Sequence, residues 1–139
     1  MSVGRICVRE VVLAEQDETV AEAAARMDRE GVGTLIVADE DDRPVGILTD
    51  RDVALRCVGQ GLDPHVTEVA DLMTAPVRAV TEETPIEDAL AFMASGGTRR
   101  LVVTDEEDRL VGVLSVDDVV DLMVEEASSI GRILRSGSS

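Results

Sequence analysis

The chain has no lysine, tryptophan or tyrosine, and among its 139 residues only one phenylalanine, one histidine and two cysteines. Each shortage closes off a class of function. A single ring, Phe92, cannot build the stacking platforms that hold single-stranded nucleic acid. Cys7 and Cys57 stand apart with no C-x-x-C pair, and His65 is isolated after Pro64. Reduced thiols in a cytosolic protein account for the cysteines. A metal site or a Cys–His nucleophile would need ligands this chain hardly has. No apolar run approaches the roughly 18–20 residues of a membrane-spanning helix. The first residues, Met1-Ser2-Val3-Gly4-Arg5, lack the apolar run and cleavage site of a secretory signal. We therefore expect a cytoplasmic protein with no membrane partner.

Positive charge is scarce as well. Acidic residues number 29 against 13 basic ones, all arginine, for a formal net charge of −16. A field of that sign repels phosphate backbones and anionic lipid, so nucleic acid is disfavoured as a partner. The acidic, lysine-free composition fits either a high-GC genome or a high-salt cytoplasm, where screening relieves self-repulsion. Hydrophobic residues make up 45% of the chain, enough for a soluble core in about one domain's worth of sequence.

The chain does contain a repeat. Shifted by 66 residues, its halves align without a gap. Ala23, Met27, Gly31, Leu35 and Val37 fall on Ala89, Met93, Gly97, Leu101 and Val103. Asp39, Glu40, Asp42, Arg43, Val45, Gly46 and Leu48 fall on Asp105, Glu106, Asp108, Arg109, Val111, Gly112 and Leu114. Each half then reads in one order. Short β-branched strands, Val11–Leu13 and Val77–Val80, come first. Helices follow, with apolar residues three and four apart around Val20–Met27 and Ile86–Met93. The first helix starts among Asp17, Glu18 and Thr19. The second is expected to start at Thr84 as N-cap, with Pro85 in its first turn and Glu87 reaching back. Gly31 and Gly97 mark the helix ends.

Two apolar runs joined by an acidic turn then form a hairpin, and a helix closes each half, Arg51–Val58 and Val116–Glu126. The fold class is α/β (α+β), two tandem β-α-β-β-α units. Each unit leaves one apolar sheet face uncovered, so we expect the units to pack sheet to sheet about a pseudo-twofold axis. The expected boundaries are 1–66 and 67–127, with a tail 128–139 that forms a short helix over a dimer edge or frays. Met27, Met73, Met93 and Met123 read as core, and the acidic turns as solvated loops.

The most specific pattern ends each hairpin: Gly46-Ile47-Leu48-Thr49-Asp50-Arg51-Asp52 and Gly112-Val113-Leu114-Ser115-Val116-Asp117-Asp118. A Thr or Ser three residues before an Asp is a capping box, in which each side chain holds a free backbone N–H. The same corner can serve a ligand. A helix N-terminus suits phosphate, the hydroxyl can donate to phosphate or ribose, and the carboxylate can accept from both ribose hydroxyls.

With these motifs in order, and with Asp71-Leu72-Met73 before the second unit, the chain resembles a tandem pair of cystathionine β-synthase (CBS) domains over about residues 6–127. The resemblance implies adenosyl ligands, AMP, ADP, ATP or S-adenosylmethionine, held in clefts between the units, with no catalytic cofactor. It implies that Asp52 and Asp118 hold ribose and that Thr49 and Ser115 contact ribose or phosphate. Thr98, Arg99 and Arg100 would face the first corner, and Val32, Gly33 and Thr34 the second. Val12 and Val77 would meet the base, with Ile47 and Val113 beside the ribose. Arg99 and Arg100, joined by Arg51, would then make the first site the one for phosphates, unless an arginine is tied up in a surface ion pair. The second site would be weaker for phosphates, empty, or suited to an uncharged or cationic adenosyl group. The implied role is a regulatory sensor, not an enzyme, acting as a homodimer on a protein in trans. The alternative is an interaction module whose sites are degenerate and whose motifs only cap helices.

Overall fold

The computed structural model describes residues 1–137. Strand β1 (Leu13–Ala14) leads to helix α1 (Val20–Glu30), then to the hairpin of β2 (Thr34–Ala38) and β3 (Pro44–Thr49). Helix α2 (Asp50–Asp52) follows directly and runs on as a π-helical turn over Val53–Val58. After a short helix α3 (Val69–Leu72) the order repeats: strand β4 (Ala79–Thr81), helix α4 (Ile86–Gly96), hairpin β5 (Arg100–Thr104) and β6 (Leu110–Ser115), and helix α5 (Val116–Arg135). Each sheet has three strands, the first pair parallel and the hairpin antiparallel. The register repeats with the sequence: Thr34 lies opposite Thr49, and Arg100 opposite Ser115.

Helices α1 and α4 bury Val20, Ala23, Met27 and Ile86, Ala89, Met93 along one stripe. Both stop at a glycine in the left-handed region, Gly31 at φ 68° and Gly97 at φ 61°. Thr19 caps α1, its hydroxyl accepting the Glu22 N–H at 3.2 Å. The start of α4 differs from the sequence expectation. Pro85 occupies the N-cap, and Thr84 Oγ1 instead accepts the Thr81 N–H at 3.2 Å. The reason lies at the chain start, where the Met1 carbonyl takes the N–H of Ile86, the first residue of α4, at 3.0 Å. In the acidic turns, Asp39 Oδ1 accepts the N–H groups of Asp41 and Arg43, and Asp105 Oδ1 those of Glu107 and Arg109. The turn acids are thus partly spent on holding the hairpins.

Two apolar cores form, and each is completed by the opening segment of the other half. Val69 and Leu72 join Val20, Ala23, Leu35, Val37 and Leu48 in the first core. Val3 joins Ile86, Ala89, Leu101, Val103 and Leu114 in the second. Burying each such Val or Leu contributes roughly 1.5–3 kcal/mol. The backbone follows the side chains. Val8 and Val113 exchange two hydrogen bonds of 2.9 Å, and Ile47 and Thr74 exchange bonds of 3.0 and 2.8 Å.

This crossing explains the glycine of each hairpin motif. A Cβ on Gly112 would strike the Val8 carbonyl oxygen, and one on Gly46 would strike the Met73 side chain. Ile36 and Val102 are also buried but belong to neither core. They lie on the opposite sheet faces, where the two units pack together. The central strands are covered on both sides, which is why they read as unbroken apolar runs.

Helix α5 is longer than the sequence suggested. It continues through Ser128 to Arg135 rather than ending at Glu126, so most of the expected tail is helical and continuous with the fold. Ser138 and Ser139, the last tail residues, lie outside the described residues. Met123 is 64% exposed, not core, because α5 turns Val116 and Val119 toward the second core instead. Among the described residues no helix is long and apolar enough to cross a membrane.

Candidate functional site

Both strand-to-helix corners close as reciprocal capping boxes. Thr49 Oγ1 accepts the Asp52 N–H at 3.1 Å, and Asp52 Oδ2 accepts the Thr49 N–H at 3.0 Å. Ser115 Oγ accepts the Asp118 N–H at 3.2 Å, and Asp118 Oδ2 accepts the Ser115 N–H at 2.9 Å. One carboxylate oxygen of each Asp is therefore committed to the fold.

The other oxygen separates the two corners. Asp52 Oδ1 lies 3.7 Å from Nε of Arg56, whose Nη1 is anchored by donating to the Leu72 carbonyl at 3.0 Å. At the matching place in α5 stands Leu122, and Asp118 Oδ1 has no donor among the described residues.

Asp118 and Ser115 line a cleft of about 300 Å³. That volume sits at the lower end of small-molecule pockets, roughly 300–1,000 Å³. Its other walls are Val8, Glu10, Val11, Val12, Val32, Gly33, Thr34, Ile36, Arg100 and Val113. The two units meet here. β2 and the turn before it bring Val32, Gly33 and Thr34, the approach to β1 brings Val11 and Val12, and β6 brings Val113. The lining is mostly apolar, with two carboxylates (Glu10 and Asp118), two hydroxyls (Thr34 and Ser115) and the Arg100 guanidinium placed around it.

Arg100 departs from the expectation. The resemblance implies a place at the Thr49/Asp52 corner, but Arg100 lines the Ser115/Asp118 cleft. The cause is register: Arg100 is paired with Ser115 on neighbouring strands, so the two side chains share one face. Arg100 has no ion-pair partner among the described residues. Arg99 is exposed and bonded to Asp117 at 3.2 Å in the first turn of α5, the surface pairing that was the alternative for an arginine here. The Thr98 hydroxyl is turned to the Arg100 carbonyl at 3.1 Å. Arg51 is exposed, and Val77 and Ile47 are half-buried. Of the arginines expected around Thr49/Asp52, Arg100 thus lines the other cleft and Arg99 is paired with Asp117.

Four lining residues escaped sequence reasoning: Val8, Glu10, Val11 and Ile36. Val8 and Glu10 reach the cleft only because the chain start crosses onto β6, and nothing in their local pattern announces that. Gly33 is small for a reason of its own, since a Cβ there would press within 2.7 Å of the Asp50 carboxylate.

A depression of about 530 Å³ is framed by Glu15, Asp17, Asp39, Glu40 and Asp41, a surface that repels anionic ligands. Among the described residues no group of three or more His, Cys, Asp or Glu could hold a metal ion. Burial pushes the Cys7 thiol above its ordinary value, with nearby Arg9 opposing. That shift disfavours the reactive thiolate.

Two three-stranded sheets related by a 66-residue repeat, joined by exchanged opening segments and enclosing a cleft at a capped helix start, define a module of two paired units. The family model for the CBS domain matches residues 3–59 and 69–125, and the chain belongs to that family. An uncharacterized protein of Methanopyrus kandleri is 33% identical over 122 residues, which are 88% of this chain and 62% of that protein. The chain thus spans less than two thirds of that relative. Hypoxic response protein 1 of Mycobacterium tuberculosis is 32% identical over 127 residues, covering 91% of this chain and 84% of that protein. The solved structure of Hypoxic Response Protein I, with two coordinated zinc ions, superposes with a TM-score of 0.76 at 30% identity, over 87% of this chain and 98% of that one. The CBS domain pair of protein MJ0100, in complex with 5-methylthioadenosine and S-adenosyl-L-methionine, shares the fold with a TM-score of 0.80 at 23% identity, over 91% and 98% of the two chains.

Proposed function

We propose that the chain is a regulatory CBS pair that binds an adenosyl ligand in the Ser115/Asp118 cleft and passes the change to a protein partner in trans. One observation carries this reading: Asp118 keeps a carboxylate oxygen without a donor among the described residues, on the wall of a mostly apolar cleft. A ribose supplies the hydroxyl donors that such an oxygen lacks. Val8, Val12, Ile36 and Val113 offer a flat base an apolar seat, and Arg100 offers a phosphate its counter-charge. The phosphate preference expected of the first site is thereby reassigned to the second, and AMP, ADP and ATP become its leading candidates. Glu10, on the same wall, would instead favour the cationic group of S-adenosylmethionine. The MJ0100 complex supports the reading only in that this fold accommodates adenosyl compounds. Ligand binding shifts the module between states only as far as its affinities for them differ. A cytoplasmic homodimer without catalytic activity completes the reading.

The Asp52–Arg56 contact favours a second reading for the first corner, in which Thr49 and Asp52 only cap a helix. If the same held at Ser115 and Asp118, the protein would be an interaction module without a ligand. Thermal unfolding at low and molar salt against AMP, ADP, ATP, S-adenosylmethionine, NAD and GTP separates the two. A ligand at about a hundred times its dissociation constant adds about 2.7 kcal/mol, or several degrees at this size. A shift with an adenosyl compound and none with GTP is expected. No shift with any compound would leave the interaction module.

A further inference from the structure

We propose that α5 pairs antiparallel with α5 of a second copy of this chain. The inference rests on the homodimer reading above and specifies the surface and its direction. Beyond Val119 the helix leaves its own core, yet it continues to Arg135 with an apolar stripe. Val120, Ala127 and Leu134 recur seven residues apart, with Met123 and Ile130 between them, the spacing of a coiled-coil seam. Leu134 is 74% exposed and Met123 64%. A helix end with no packing is marginal in water, so this stripe needs a cover.

Charge identifies the cover and its direction. The first part of α5 carries Asp117, Asp118, Asp121, Glu125 and Glu126, while its end carries Arg132 and Arg135. Neither of these arginines has an ion-pair partner among the described residues. An antiparallel second copy lays its arginine end along the acidic start of the first, and the twofold axis repeats the contact. With the crossing between Ala127 and Ile130, Met123 meets Leu134 of the second copy, Ala127 meets its Ile130, and Arg132 comes beside its Glu125. A parallel pair would set acid against acid and arginine against arginine.

The test is sedimentation of the full chain over a wide concentration range, with circular dichroism to check folding. The unaltered chain should be a dimer, and Leu134→Glu should raise its dissociation constant at least tenfold. A double variant, Arg132→Glu with Arg135→Glu, should dissociate alone and recover dimers when mixed with Asp121→Arg/Glu125→Arg. A monomer at every concentration overturns both the homodimer reading and this one. A dimer indifferent to Leu134→Glu keeps the homodimer reading and overturns the α5 pairing. A dimer weakened by Leu134→Glu but not recovered in the mixture overturns the antiparallel direction.

Discussion

Asp52 and Asp118 occupy the same place in the repeat and make the same backbone bond, to Thr49 and Ser115 respectively. Around Asp52, Arg56 bridges the second oxygen to the Leu72 carbonyl. Around Asp118 that oxygen is unpaired, and Arg100 stands across an apolar cleft. The comparison teaches that the shared motif secures the helix start in both units, while residues outside the motif, Arg56 in one and Leu122 in the other, decide whether the second carboxylate oxygen is also engaged. A duplicated sequence need not mean a duplicated site.

The comparison can be broken most severely at the cores. Leu72→Ala should cost about 2–5 kcal/mol in urea unfolding, although Leu72 belongs by sequence to the start of the second unit. Loss of that size is expected because it fills the first core. A cost below about 1 kcal/mol would deny the exchange of segments. The paired glycines sharpen the contrast. Gly112→Ala meets the Val8 backbone and should cost about 3 kcal/mol, whereas Gly46→Ala meets the flexible Met73 and should cost about 1 kcal/mol. Equal costs would show that the two crossings are equally rigid. Thr49→Ala and Ser115→Ala should each lose about 1 kcal/mol of cap, and only Ser115→Ala should also weaken ligand binding.

The smallest effect concerns acid. In the first unit Arg26 donates two bonds of 2.6 Å to Glu18, holding its carboxyl below the ordinary 4.5. A lowered folded-state value means that the pair's contribution is complete above the unfolded value and is lost as pH falls through the folded one. The second unit has Thr84 and Phe92 at these places, and Arg78 instead stacks 3.9 Å from the Phe92 ring centroid. Glu18→Gln should therefore lessen the loss of stability as pH falls below the ordinary 4.5 and through the lowered folded-state value, a comparison read from urea midpoints. An unchanged acid loss would remove Glu18 from the account.

Much of the fold was legible because it lies in local pattern. The repeat, the order of elements and the helix ends at Gly31 and Gly97 all follow from spacing and backbone preference. The exchange of opening segments was not legible, because Val3, Ile6 and Cys7, and Val69, Leu72 and Met73, make one helical turn of apolar spacing each, too short a pattern to say which core they enter. The true length of α5 was hidden by Ser128, Ser129 and Gly131, weak helix formers that read as an ending. At the site, the meeting of Val32–Thr34 with Ser115 and Asp118 was legible only through the resemblance to CBS pairs, which implies it. The positions of Arg100 and Arg56 depend on strand register and on a contact to α3, and a linear motif encodes neither.

Calorimetric titration of AMP, and then of S-adenosylmethionine, into Asp118→Asn and Asp52→Asn proteins tests the central claim most directly. Asparagine keeps an oxygen for the cap and replaces the second acceptor with a donor. The account predicts one site per chain in the unaltered protein for whichever compound binds, abolished by Asp118→Asn and retained in Asp52→Asn. Binding that survives Asp118→Asn and disappears with Asp52→Asn would contradict it.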